Sequence, residues 1–115
     1  MTKGNKRYIT TEHPPAIGFD TGSELLILPY ISLKEARLPA ERLEMILEFT
    51  DWTIILTGHN LAVLAKDLLA FSVSLVTAMP DLPKLPEAAK DSYISKIECV
   101  RRETEENREG GEEES

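Results

Sequence analysis

Residues 41–77 read ERLEMILEF TDW TIILTG HNLAVLAKDLLAF SVSLVT, and the hydrophobic patterning of this stretch decides the fold. Leu43, Met45, Leu47 and Phe49 alternate with Glu44, Ile46, Glu48 and Thr50. Period-two alternation is the mark of a strand with one buried and one wet face. The same residues include good helix formers, and Pro39 is suited to a first helical position. A helix would place Leu43, Ile46, Leu47 and Thr50 on one side and strand Met45 and Phe49 at its margins, so the strand is the better reading. Thr50-Asp51-Trp52 supplies a turn, because an aspartate can bond its own backbone two residues on. Thr53–Thr57 is β-branched and apolar on both faces, which predicts an interior strand closed by Gly58.

Asn60 is a residue type favoured at helix N-caps. Leu61, Leu64, Ala65, Leu68 and Leu69 then recur at helical spacing, with Lys66 and Asp67 on the opposite side. The pattern predicts one principal helix over about residues 60–71. Ser72–Thr77 predicts a strand that returns to the same sheet, with Val73, Leu75 and Thr77 on one face. Leu61–Met79 is long enough for a membrane span. Lys66 and Asp67 would each cost roughly 2.5–3.5 kcal/mol near the centre of such a span, so the stretch reads as core.

Outward from this centre, His13-Pro14-Pro15 imposes an extended path, and Arg7–Thr10 is a short edge strand. Ala16–Asp20 and Glu24–Tyr30 form a hairpin across Thr21-Gly22-Ser23. Ile31–Leu38 fits either one helical turn followed by a strand or a strand throughout. Pro39-Ala40-Glu41 links it to the central unit as an antiparallel hairpin. Pro80, Pro83 and Pro86 recur every third residue, a spacing suited to polyproline II. The two P-x-x-P segments lack the flanking basic residue that orients such ligands, so they read as a stiff connector. Pro86–Lys90 suits a short helical turn, and Tyr93–Val100 alternates as a closing strand.

The 115 residues suffice for one domain. The expectation is an α+β domain over residues 1–100, with five to seven mainly antiparallel strands covered by one helix. A half-open barrel of the pleckstrin-homology kind is the alternative arrangement. Residues 101–115 carry three Arg and seven Glu and no apolar side chain, which predicts a disordered acidic tail.

Of the net charge of −7, the tail holds −4 and the other residues −3. No basic stripe is present, so neither nucleic acid nor an anionic membrane surface is an expected partner. Cys99 is the single cysteine. It rules out an intrachain disulfide and points to a reducing, cytoplasmic setting. No secretory h-region is expected, because residues 9–20 have no apolar run.

His13, His59 and Cys99 lack paired ligand spacing, so no metal or other cofactor is expected. No G-x-S-x-G elbow accompanies a nucleophile. Glu44 and Glu48 fall on the wet face of a strand, where carboxylates solvate rather than catalyse. The chain therefore reads as non-enzymatic. Two sites stand out. Tyr30 and Trp52, aromatic residues beside an apolar run and at a turn, are candidate anchors for a protein partner or a second copy. His59 and Asn60, in the Gly58-His59-Asn60 turn near Thr57 and Trp52, are candidates for a small ligand or anion at a helix N-terminus. The preferred reading is an interaction module that self-associates or binds another protein, using the edges that a small sheet leaves open.

Overall fold

The computed structural model describes residues 6–40, 43–86 and 90–102. Its elements run β1 (Ile9–Thr10), β2 (Ala16–Asp20), β3 (Leu25–Pro29), a 3-10 turn (Tyr30–Ser32), β4 (Leu33–Arg37), β5 (Glu44–Phe49), β6 (Trp52–His59), α1 (Leu61–Leu69), β7 (Val73–Thr77), a second 3-10 turn (Leu82–Lys84) and β8 (Tyr93–Arg101). The fold is α+β and mainly antiparallel, but the eight strands among the described residues form two four-stranded sheets rather than one sheet of five to seven. The first has the order β1-β7-β2-β3 and the second β4-β5-β6-β8.

The alternation in β5 has the expected consequence. Met45, Leu47 and Phe49 are buried, while Glu44 is exposed. Ile54 and Leu56 of β6 lie beside them, paired with Leu47 and Met45. From the first sheet come Ile17, Phe19, Leu28, Val73 and Val76. The two sheets share one core, in which the rings of Phe19 and Phe49 meet edge to face at 6.0 Å. Aromatic pairs prefer this arrangement because it sets a positive ring edge on a negative face. Leu61, Leu64 and Leu68 bring α1 into the same core.

The opening hairpin forms as read: β2 and β3 pair antiparallel, with the Asp20 carboxylate accepting from the amide of Gly22 in the turn. Of the two readings of residues 31–38, the first holds, a single 3-10 turn and then β4. β4 and β5 pair antiparallel, and β8 pairs with β6.

Several expectations differ from what is seen. No closed sheet exists among the described residues, and the half-open barrel of the pleckstrin-homology kind is not shown by the two open sheets. Isolated bridges, Lys6 with Ser92 and Ala78 with Ile94, are what link the β1 and β7 side to the start of β8. The strand after α1 does not return to the sheet of β5 and β6. It enters the other sheet between β1 and β2, running parallel to β2. Its buried residues are Val73 and Val76, with the pairing to β1 shifting register, so Val73, Leu75 and Thr77 do not form one buried face.

Gly58 does not end its strand. The ladder to β8 shifts register between Thr57 and Gly58 and continues to His59. A Cβ at Gly58 would overlap the carbonyl oxygen of Tyr93 and stand 2.9 Å from the Cα of Ile94, so glycine is what lets the two backbones approach. The proline-rich segment is not polyproline II throughout: Leu82–Lys84 closes into a 3-10 turn, with the amide of Leu85 donating to Leu82. Most of the short turn expected at Pro86–Lys90 and all of the tail from residue 103 lie outside the described residues. Among the described residues no helix is long and apolar enough to cross a membrane.

Candidate functional site: a groove beside a free sheet edge

β4 is the edge of the second sheet, and among the described residues β5 is its one strand neighbour. Beside it lies a groove of about 460 Å³, lined by Leu33–Arg37 of β4, by Leu38 just after it, and by Met45, Ala65, Leu68, Leu69 and Phe71. All five residues of β4 thus line it. Neighbouring side chains point to opposite faces of a strand. The groove therefore runs along the backbone edge of β4, with α1 as its other wall. An edge strand presents unpaired amides and carbonyls, and a sheet grows from it when another strand arrives.

The far wall has an unusual end. Ala70 terminates α1, the amide of Phe71 donates to Leu68 and that of Ser72 to Asp67. This crossed pair of bonds is the Schellman closure, whose first residue beyond the helix adopts the left-handed conformation and is usually glycine. Here it is Phe71, at φ +52°. A bulky side chain in that region costs on the order of 1–2 kcal/mol. Backbone strain of this kind points toward a use for the side chain. Phe71 is 55% exposed, and its ring stands edge-on to Tyr30. Leu69, next to it on the groove wall, is 81% exposed.

The rim is charged. Arg37 reaches Glu35 at 3.2 Å and Glu48 at 3.1 Å, and Arg102 adds a contact to Glu48 at 3.5 Å. The hydroxyl of Thr53 donates to the same carboxylate. Glu35 and Glu48 stand directly opposite each other in the β4–β5 ladder. Like charges in that relation repel.

Tyr30 does not line this groove; it stands behind Phe71 and is not a free anchor. Its hydroxyl donates to the carbonyl of Val73 and its ring supports Phe71. Burial pushes its phenol up to about 12. Trp52 is the first residue of β6 rather than part of a turn. It is half-buried against the core, with the Arg101 guanidinium 5.3 Å from its ring.

His59 and Asn60 fall together at the end of β6. The imidazole stacks on Tyr93 at 5.5 Å. Asn60 precedes α1 in the left-handed conformation, at φ +58°, and its side chain makes no capping bond. Caps need an extended backbone there. The amide instead donates to the carbonyl of Lys90, and the Asn60 carbonyl accepts from Ser92. Trp52 is at the opposite end of β6, about 23 Å away at the usual rise per strand residue. Trp52 and the Gly58-His59-Asn60 turn therefore do not form one site.

The structure also assembles a polar cluster with no local sequence signature. Arg7 Nε donates to Asp91 Oδ2 at 2.7 Å, Tyr8 donates to Asp67 at 2.8 Å, and Lys6 pairs with Asp67 at 3.0 Å. These contacts fasten the first described residues to α1 and to the start of β8. Burial, reinforced by the Asp67 carboxylate, pushes the Tyr8 phenol well above its usual value. Among the described residues no group of three or more His, Cys, Asp or Glu could hold a metal ion.

The groove residues were missed from sequence because Ile31–Leu38 carries no clean period. One signal was present. Residues 69–72 read LAFS. A helix that stops there without Gly or Asn must place some other residue in the left-handed turn. Searches of protein-family models, curated proteins and solved structures find nothing that matches this chain.

Proposed function

We propose that this protein is a non-catalytic interaction module that takes a strand from a protein partner along the edge of β4, within the groove walled by α1. The observation that carries this reading is Phe71, an exposed aromatic side chain held in a strained conformation on that wall. Added strands of this kind gain affinity from main-chain hydrogen bonds and specificity from pockets that accept alternate side chains. The apolar groove would take every second side chain of the partner, while the Glu35–Arg37–Glu48 rim would face the others.

Selection from a displayed library of random extended peptides tests the reading. The expected clones carry apolar residues at alternate positions, bind the native protein, and lose binding to Ala36→Lys and Leu69→Glu. Both positions are exposed, so the variants should fold. A lysine at the first puts a charge in the path of an added strand. Clones indifferent to both substitutions but lost on His59→Ala and Asn60→Ala would move the site to the Gly58-His59-Asn60 turn.

A further inference from the structure

We propose that the strand received at β4 is β4 of a second copy, paired antiparallel about a two-fold axis that passes between the two Ala36 residues. This rests on the reading of β4 as an open pairing edge. The argument is charge complementarity. Residues opposite one another in a ladder share a face, so a two-fold axis normal to the sheet must pass midway between a residue and its own copy.

Four registers are available on Lys34–Arg37. An axis at Lys34 places Glu35 opposite Leu33 and Arg37 opposite Ile31. One at Glu35 sets two carboxylates against each other, and one at Arg37 sets two guanidinium groups together. The axis at Ala36 places each Glu35 opposite the Arg37 of the other copy. It also leaves the smallest side chain of the strand beside the axis.

The outer face of β4 already calls for this arrangement. Glu35 and Glu48 stand opposite each other within one copy and share the single guanidinium of Arg37. A second Arg37 arriving beside Glu35 gives each carboxylate a cation of its own, with Arg102 remaining on Glu48. On the inner side, each copy would cover the groove of the other, including Leu69 and Phe71, which supply the apolar surface that a short strand pair lacks. The ladder irregularity between Leu33 and Glu35 limits the regular pairing to the segment around Ala36.

The test uses the full chain and its mass in solution, by light scattering and native mass spectrometry across a dilution series. The native protein is expected to be a dimer. Glu35→Arg and Arg37→Glu, which each bring like charges together twice, should each weaken it by roughly tenfold or more. Mixed in equal amounts, the two single variants should form a heterodimer, because every charge then faces its opposite. The double variant should dimerise like the native protein.

A native protein that stays monomeric overturns the proposal, as does a dimer that neither substitution weakens. The latter result would place the contact elsewhere, such as the outer face of the first sheet, where Leu25 and Ile27 are exposed. If Arg37→Glu fails to fold, Ala36→Glu replaces it. Carboxylates meeting across the axis must dissociate the dimer, and a dimer that persists refutes the register. Peptides that bind β4 of a monomeric native protein would leave the strand-acceptor reading standing and remove the second copy as its partner. If neither peptide nor copy binds there, both readings fall.

Discussion

The ring of Phe71 meets the ring of Tyr30 edge-on, centroids 5.5 Å apart and planes at 86°, although the Phe71 backbone is held in the left-handed region at φ +52°. Two energies oppose each other at this position. Glycine would relieve roughly 1–2 kcal/mol of backbone strain. It would also forfeit an aromatic pair worth about 0.5–1.5 kcal/mol beyond its buried area. Phe71→Gly is therefore expected to change unfolding stability in urea by less than about 1 kcal/mol while abolishing strand capture at the groove. A loss of several kcal/mol would show that the ring is structural, and retained capture would remove it from the site.

The pair of Arg7 and Asp91 ties the first described residues to the segment just before β8. Asp91 is only 3% exposed and accepts from Arg7 Nε at 2.7 Å. Removing one partner of a buried ion pair strands the other charge, commonly at a cost of about 3–5 kcal/mol. Arg7 is itself partly exposed, so water can reach the site and lower that figure. Arg7→Met should cost about 2–3 kcal/mol in a urea titration. A loss under about 0.5 kcal/mol would show that the first strand is not anchored there.

Gly58 provides a geometric check on the ladder between β6 and β8. A methyl group at this position meets backbone rather than a side chain that can turn away. Gly58→Ala should lose about 2–3 kcal/mol, at the upper end for overpacking. Chemical shifts should move in Tyr93 and Ile94 before those in β2 and β3. A neutral substitution would mean that the register irregularity between Thr57 and Gly58 is absent in solution.

Alkaline pH should weaken the fold through Tyr8, which is buried, and Tyr30, which is half-buried. In both, burial raises the phenol above its ordinary value of 10.0, in Tyr30 to about 12. The unfolded chain then releases protons at a pH where the folded protein still holds them. Stability is full below about pH 10 and falls as pH rises toward 12. The urea midpoint should drop over that window, and less steeply in Tyr30→Phe. An identical slope in the variant would assign the effect to other groups.

Cys99 offers a last check on packing. It is half-buried, and burial together with the Glu24 carboxylate raises its thiol above the ordinary value. The thiolate is the reactive form. A disulfide reagent at neutral pH should modify Cys99 more slowly in the folded protein than in urea. Equal rates would place the thiol in open solvent.

Local pattern alone was enough for much of this molecule. Alternation at Met45, Leu47 and Phe49 specified a strand and its buried face, because a period-two pattern records burial directly. Leucines at helical spacing specified α1, and Thr21-Gly22-Ser23 specified the first hairpin. These features depend on neighbours in the chain. Which sheet each strand joins does not. A strand records which of its faces is buried but not which strand pairs with its edges, so the parallel seat of β7 beside β2 was decided by tertiary packing. The same holds for the site. The groove joins β4 to the end of α1, about thirty residues further along the chain, and the strain at Phe71 exists only because the helix must stop there to enter the other sheet. Asn60 illustrates the limit from the other side: a good capping residue by type, it was denied that role by a left-handed backbone and turned instead toward Lys90. Sequence determined the elements and their buried faces, and only the tertiary structure decided which edges remained open, because openness is a property of what fails to arrive beside a strand.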